Sequence, residues 1–184
     1  MRIEDYAWNV HERKLYLNQH MQLPTVCKIK ILDDAQKRLE LEQELSFLPQ
    51  KELARWALSN AEDFLELIDI GDKNARADII SQAKTVFQAR LDGQASAYEL
   101  RQAGFLANQL AQQSRTEISK SAARAFAQAV ATAHMRGHAI VSADYAVKVR
   151  NLQSPDDVGA ARRERERQLK LAESYLDRMK FKNR

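Results

Sequence analysis

Apolar side chains recur along most of this chain at intervals of three and four, the spacing of a helix face, and polar punctuation cuts the pattern into segments. In residues 1–22, Tyr6, Trp8, Val10, Leu15, Tyr16 and Leu17 can line one amphipathic helix, and "LPT" at 23–25 breaks it. Residues 26–47 favour a second helix, although "VCKIKIL" alternates like a short strand. Pro49 suits the first turn of a third helix, "PQKELARWALSNAEDFLELIDI", with Leu53, Trp56, Ala57, Phe64, Leu67 and Ile68 turned inward and Gly71 at its end. Asp72 then reads as the N-cap of a fourth, striped by Ala75, Ile79, Ala83, Val86 and Phe87 and stopped by "DG" at 92–93.

Two S-x-x-E patterns follow, Ser96 with Glu99 and Ser114 with Glu117, and each predicts a capping box at a helix start. The sixth helix runs through "EISKSAARAFAQAVATAHMRG", holds seven alanines between Ala122 and Ala133, and has Gly137 as its candidate C-cap. A short seventh contains "ADYAVKVRNL". Ser154 as N-cap and Pro155 at the first helical position open a last helix to about Lys180, with Val158, Ala161, Leu169, Ala172, Tyr175, Leu176 and Met179 as its apolar face.

The sum is an all-α, single-domain helical bundle of about seven or eight helices. It divides into an N-terminal helical extension (1–48), an alanine-rich core (49–153) and a charged amphipathic C-terminal helix packed on that core (154–184). The low counts of Gly (5) and Pro (3) in 184 residues agree. One cysteine, Cys27, excludes a disulfide framework and fits a reducing compartment. The N-terminus lacks the apolar region of a signal peptide, and no apolar run approaches the roughly 20 residues that span a membrane. A cytoplasmic location with no membrane partner is the expectation.

Charge changes the picture through its distribution more than through its net value of +4. Glu62, Asp63, Glu66, Asp69 and Asp72 fall in a stretch free of Lys and Arg, and Arg162, Arg163, Arg165 and Arg167 crowd into six residues. On a continuous helix Glu62, Glu66 and Asp69 share one face, with Asp63 and Asp72 near it. That face is a candidate docking surface for a basic partner, and the competing reading is a solvated face neutralised by the C-terminal arginines. In "RRERER" the interleaved Glu164 and Glu166 suggest a solvated helix face laced with ion pairs, which disfavours nucleic acid as a partner.

The candidate chemistry centres on His134 and His138, four residues apart. Two such histidines on one helix can bind a metal ion. Here the general-base glutamate of H-E-x-x-H is absent, Arg136 adds a positive charge, and Gly137 would end the helix between the rings. A nucleophilic site fares worse, because no G-x-S-x-G elbow and no glycine-rich phosphate loop occur. The remaining reading is structural. His134 continues the stripe of Phe126 and Val130 and would bond across a helix junction, and His138 would lie past a helix C-terminus, where the dipole favours an imidazolium.

The stretch "AQAVATAHMRGHAIVSADYAVK" resembles a bacterial family of immunity proteins with an Imm-5-like domain, through Ala131, Thr132, Ala133, His134, His138 and Ala139 and then Tyr145, Ala146 and Lys148. "LARWALSNAEDFLELI" is similar to that family's early helix through Trp56, Ala57, Ala61 and Glu62, and "GDKNARADIISQAKTVFQARLDG" to its central segment through Asp72, Arg76 and Gly93. The likeness covers about residues 49–150. It departs at "GDKNAR", where the family usually has a proline-rich turn. The resemblance implies a non-enzymatic protein that binds and neutralises a bacterial toxin, with no cofactor and no metal. It also implies that Trp56, Arg76, His134, His138, Tyr145 and Lys148 are scaffold and that the variable surface selects the toxin. A nucleic-acid-binding regulator and a hydrolase using His134 and His138 with a metal are the alternatives, and a homodimer through the long terminal helices is allowed.

Overall fold

The computed structural model describes residues 1–18 and 22–182, without the side chains of Val158 and Lys182. In chain order its α-helices are α1 (Ile3–Tyr6), α2 (Val10–Leu17), α3 (Ala35–Ser46), α4 (Gln50–Glu62), α5 (Lys73–Leu91), α6 (Ala97–Gln113), α7 (Glu117–Thr132), α8 (His138–Gln153) and α9 (Val158–Lys182), and a 3₁₀ turn occupies Leu65–Leu67. All regular structure among the described residues is helical, as the spacing of apolar residues predicts.

The alanine-rich helix α7 is the centre of the packing. Ten of its sixteen residues are buried. Alanine removes the side-chain layer that normally keeps helix axes apart, so α8, α6 and α4 all close on α7. At one such approach the Ser142 hydroxyl on α8 donates to the Ala125 carbonyl of α7 at 2.8 Å. Trp56, Leu53, Phe64, Leu100, Leu110 and Phe126 fill the remaining space and are essentially inaccessible. Each such side chain stabilises the fold by about 1.5–3 kcal/mol. On the far side, α9 packs on α3, α8 and α4 and contributes Ala172 and Tyr175 to the same core.

Five expectations differ from the structure, some through local caps and some through long-range contacts. The first helix is two, α1 and α2, because Asn9 caps α2 by accepting from the Glu12 N–H; residues 19–21 of that expected helix lie outside the described residues. Residues 25–34 form neither the expected helix nor a strand. Their backbone is instead held by side chains from elsewhere. Glu42 accepts from the Thr25 N–H (2.8 Å), Arg38 donates to the Thr25 carbonyl (2.8 Å), and Asn151 both accepts from and donates to Leu32 (2.8 and 3.0 Å). Asp34 starts α3 by capping it through the Lys37 N–H.

The third helix stops at Glu62, short of Gly71, and turns through the 3₁₀ segment. Arg76 from α5 donates to the Leu65 carbonyl at 2.7 Å and helps to hold that turn. The capping box at Ser96 and Glu99 forms as predicted, whereas Thr116, not Ser114, caps α7 through the Ser119 N–H. The last helix begins at Val158, after a turn in which Asp156 has φ 65°. Of its expected apolar stripe, Ala161, Ala172 and Tyr175 are buried, Leu169, Leu176 and Met179 are half-buried, and the Val158 side chain lies outside the description.

An overpacked α7 tests this architecture. Ala129→Leu, at a site with no exposed surface, should destabilise the protein by about 1–3 kcal/mol in urea unfolding. An unchanged midpoint would mean that the helices do not approach α7 closely.

Candidate functional site

Three polar assemblies occupy this frame, and the deepest is built on Asp144 of α8. Its carboxylate is almost wholly buried between two guanidiniums. Arg38 of α3 donates through Nε and Nη2 at 3.0 Å each, and Arg165 of α9 donates through Nη2 at 2.6 Å. Arg165 is itself fully buried and makes a second, two-pronged contact with Asp33 at 3.0 and 2.6 Å. Burial opposes the Arg165 charge, and Asp33 and Asp144 outweigh it, so its pKa lies above the ordinary arginine value. Arg38 also pairs with Glu42 at 2.6 Å, and the Cys27 thiol approaches Asp144 at 3.5 Å. Burial pushes the Cys27 pKa up, so the thiol form is favoured.

Beside Arg165 on α9, buried Glu164 takes up Arg150 (3.2 Å) and Arg167 (2.6 Å). Gln168 ties Glu164 to the Ala143 carbonyl. The "RRERER" run is therefore not the solvated face expected of it. Its central charges are interior, because α9 lies across α3, α4 and α8, and only Arg162 and Arg163 stand exposed, paired with Glu166 and Asp157. This removes the main support for a nucleic-acid surface on that helix.

The second assembly is the corner that carries the histidines. α7 ends at Thr132, five residues before Gly137, and Gly137 starts α8 instead of closing α7. The cause is Glu12, from the other end of the chain. Its carboxylate accepts from the Arg136 N–H (3.0 Å) and the Gly137 N–H (3.1 Å), and the Asn9 amide steadies it. An anion at these free N–H groups is favoured by the helix dipole. The Arg136 side chain turns inward, donating to the carbonyls of Tyr6 (2.6 Å), Leu48 (2.9 Å) and Leu45 (3.0 Å) with its guanidinium 3.9 Å from the Tyr6 ring centroid. Burial lowers its pKa from the arginine norm. A groove of about 440 Å³ opens above it between α1, α2, the 22–26 segment and α8.

His138 is the first residue of α8, at the positive end of a helix and not past a negative one, and its Nδ1 lies 2.6 Å from Gln128 Oε1. His134 is half-buried in the turn, and its ring makes no hydrogen bond among the described residues. Burial holds both imidazoles below the ordinary histidine pKa; Arg101 and Arg90 add to this at His134, and His134 adds to it at His138. Among the described residues, no three His, Cys, Asp or Glu side chains come together to hold a metal ion. The other motif residues meet scaffold. Trp56 is buried and donates to the Gln168 carbonyl (3.3 Å), Arg124 donates to the Tyr145 hydroxyl (3.4 Å), and Lys148 donates to the Lys30 carbonyl (3.1 Å).

The third assembly is the acidic segment. Glu62, Asp63, Glu66, Asp69 and Asp72 are all exposed, but α4 ends at the first of them, so they lie along a turn and not on one helix face. Glu62 pairs with Lys84, Asp63 with Arg167 (2.8 Å) and Glu66 with Arg76 (3.3 Å), and Asp72 caps α5 through the N–H groups of Asn74 and Ala75. The acidic and arginine clusters thus touch through Asp63 and Arg167. Sequence reasoning missed Arg38 and Glu12, and it noted Arg165 and Arg136 only as charges, without their buried partners. The one available signal was Asp144, an acid within the apolar pattern of α8.

The fold and these assemblies define a helical scaffold whose strongest charges are turned inward as fasteners. Residues 43–175 match the family model of the Imm-5 like putative immunity proteins, and the chain belongs to that family. No curated protein and no solved structure matches it. No described helix is long and apolar enough to cross a membrane.

Two outcomes are expected. Asp144→Ala leaves Arg38 and Arg165 without their shared carboxylate and should cost about 3–5 kcal/mol in urea unfolding, and a loss below about 1 kcal/mol would contradict the network. The histidine pKa values are lowered by folding, so below about 6.5, the unperturbed value, the unfolded chain binds more protons than the folded one. Stability should therefore fall as pH drops below that point. Replacing His134 and His138 together with Gln should flatten part of this dependence between about pH 7 and 5, read from the melting temperature.

Proposed function

We propose that this protein binds a protein toxin in the cytoplasm and neutralises it by occupying its surface, without chemistry of its own. Membership of the immunity-protein family supports the reading, and the disposition of charge agrees with it. The buried carboxylates Glu42, Asp144 and Glu164 are each paired with an arginine, which suits a rigid body and not a reaction centre.

The observation that carries a docking site is the exposure of five carboxylates in the turn between α4 and α5, with the Glu66 side chain 91% exposed. Their intramolecular partners are surface pairs of the kind worth about 0–1 kcal/mol, so cations of a partner can replace them at little cost. A basic toxin, such as one that grips nucleic acid, would be steered toward this turn, and the turn would compete with its phosphate substrate. The six-residue arginine run offers less, since Arg165 and Arg167 are engaged internally.

Charge reversal tests the surface. Glu62→Lys combined with Glu66→Lys should slow association with the partner toxin, once one is identified by its binding to this chain, about tenfold or more at low salt, with a shrinking difference as salt rises. An unchanged association rate excludes the turn as the docking site.

A further inference from the structure

Three stretches of this chain carry no Asp or Glu: the residues between Glu12 and Asp33, between Glu117 and Asp144, and between Asp144 and Asp156. The fold brings parts of them side by side. α7 and α8 pack antiparallel, so Gln128 on α7 meets His138 on α8 (2.6 Å), and Arg124 meets the Tyr145 hydroxyl (3.4 Å). His138, Val141, Tyr145 and Lys148 recur at intervals of three and four and are half-buried, so they form the open side of α8. The irregular residues 25–34 run beside this helix. Lys148 donates to the Lys30 carbonyl at 3.1 Å, and Lys28 lies close enough to His138 to depress its basicity.

The result is a face of one sign. Lys28 and Lys30 are exposed, Arg124 and Lys148 are half-buried, and none of the four has a carboxylate partner among the described residues. On α9, by contrast, Arg162, Arg163, Arg165 and Arg167 each hold one. Arg124 and Lys148 each give one N–H to a neutral oxygen and keep the others free. Carboxylates bound the face without entering it. Glu117, at the start of α7, pairs with Lys120 at 3.3 Å, and Glu12 is taken up by the N–H groups of Arg136 and Gly137. Asp144 is buried between Arg38 and Arg165. Clustered like charges oppose the compact state, so folding does not call for this arrangement.

Charge complementarity calls for an anion, and the uniform sign selects its kind. Protein surfaces intersperse both signs, so an acidic protein brings its own lysines and arginines against this face. The backbone of a nucleic acid is negative along its whole length, with about one charge per 1.7 Å of duplex axis. From His138 to Lys148 α8 rises about 15 Å, which sets several phosphates of one duplex within reach at once. Tyr145 is half-buried with the Arg124 guanidinium 5.7 Å from its ring centroid, so no free ring is offered for base stacking. Phosphate contacts alone carry no sequence information. We propose that the outer face of α7 and α8, with Lys28 and Lys30 beside it, binds the phosphate backbone of nucleic acid without sequence preference. The inference does not rest on the toxin reading, and its test contains no toxin.

Fluorescence anisotropy of labelled DNA duplexes of unrelated sequence, titrated with the full chain, tests it. The duplexes should bind alike, with dissociation constants of about 1–100 μM at physiological salt. Log affinity should fall against log salt with a slope of about −3 to −4, as four phosphate contacts require. Lys28→Gln with Lys30→Gln changes two exposed side chains and should make that slope shallower by about 2, weakening binding about tenfold or more at low salt. Arg124→Gln, which leaves residues 25–34 untouched, should make it shallower by about 1. Arg162→Gln with Arg163→Gln removes the same charge from exposed positions on α9 and should leave the slope unaltered. Three results overturn the proposal: no binding up to about 100 μM at low salt, equal losses in the two double variants, or tighter binding to poly-L-glutamate than to the duplexes, which assigns the face to an acidic protein.

Discussion

Asp144 sits between Arg38 and Arg165, and three distant parts of the chain meet at its carboxylate. Taking such charges out of water is costly, and only a full set of partners offsets the loss. The set is complete in one arrangement of α3, α8 and α9. If α9 slid by a turn, Arg165 would leave both Asp33 and Asp144, and Glu164 would leave Arg150. Apolar packing between helices tolerates such sliding far better, because one stripe of alanine and leucine resembles the next. The ion network therefore fixes which contacts the hydrophobic core makes. It also fastens the irregular residues 25–34, whose backbone has no helix or sheet to complete its hydrogen bonds.

Glu12 does for the helix corner what Asp144 does for the interior. It lies more than a hundred residues from the N–H groups it accepts from, and it places the start of α8. Arg136 leaves the same corner in the opposite direction and binds carbonyls at the end of α3 and in α1. The motif around the two histidines is thus a junction of α1, α2, α3, α7 and α8. The histidines border that junction, with His138 held by Gln128. Their lowered basicity follows from this enclosure and from nearby cations.

The helical class was legible because it rests on local properties: the period of apolar residues, the scarcity of breakers, and caps such as Asp72 and Ser96 that act within three residues. Of the boundaries that were misread, the starts of α2 and α7 are set by the local caps Asn9 and Thr116, and the rest of the differences are set from far away. Nothing in "ATAHMRGHAI" announces that Glu12 will cap its N–H groups, and nothing in "VCKIKIL" that Asn151, Lys148 and Arg38 will hold its neighbourhood extended. "RRERER" misled for the same reason. Whether an arginine points to water or to a buried aspartate depends on what lies across the helix, and composition carries no trace of that. The acidic segment was legible as a charged, exposed stretch but not as a turn, because the helical spacing of Glu62, Glu66 and Asp69 continues past the point where α4 ends.

The alanine content of α7 has a consequence for how such a chain can change over generations. An alanine has no rotamers to lose and no volume to spare, so the body it organises is stiff and has little to rearrange when the exterior alters. The turn after α4 is tied to α7 through its backbone, where Ser119 bonds Asp69, but the exposed side chains of Glu62, Glu66 and Asp72 are turned toward α5 and away from α7 and the Asp144 network. Mutations there meet weak selection for stability and can be sorted by what they do to recognition. The interior is held constant by packing and buried charge while the exterior stays free to drift.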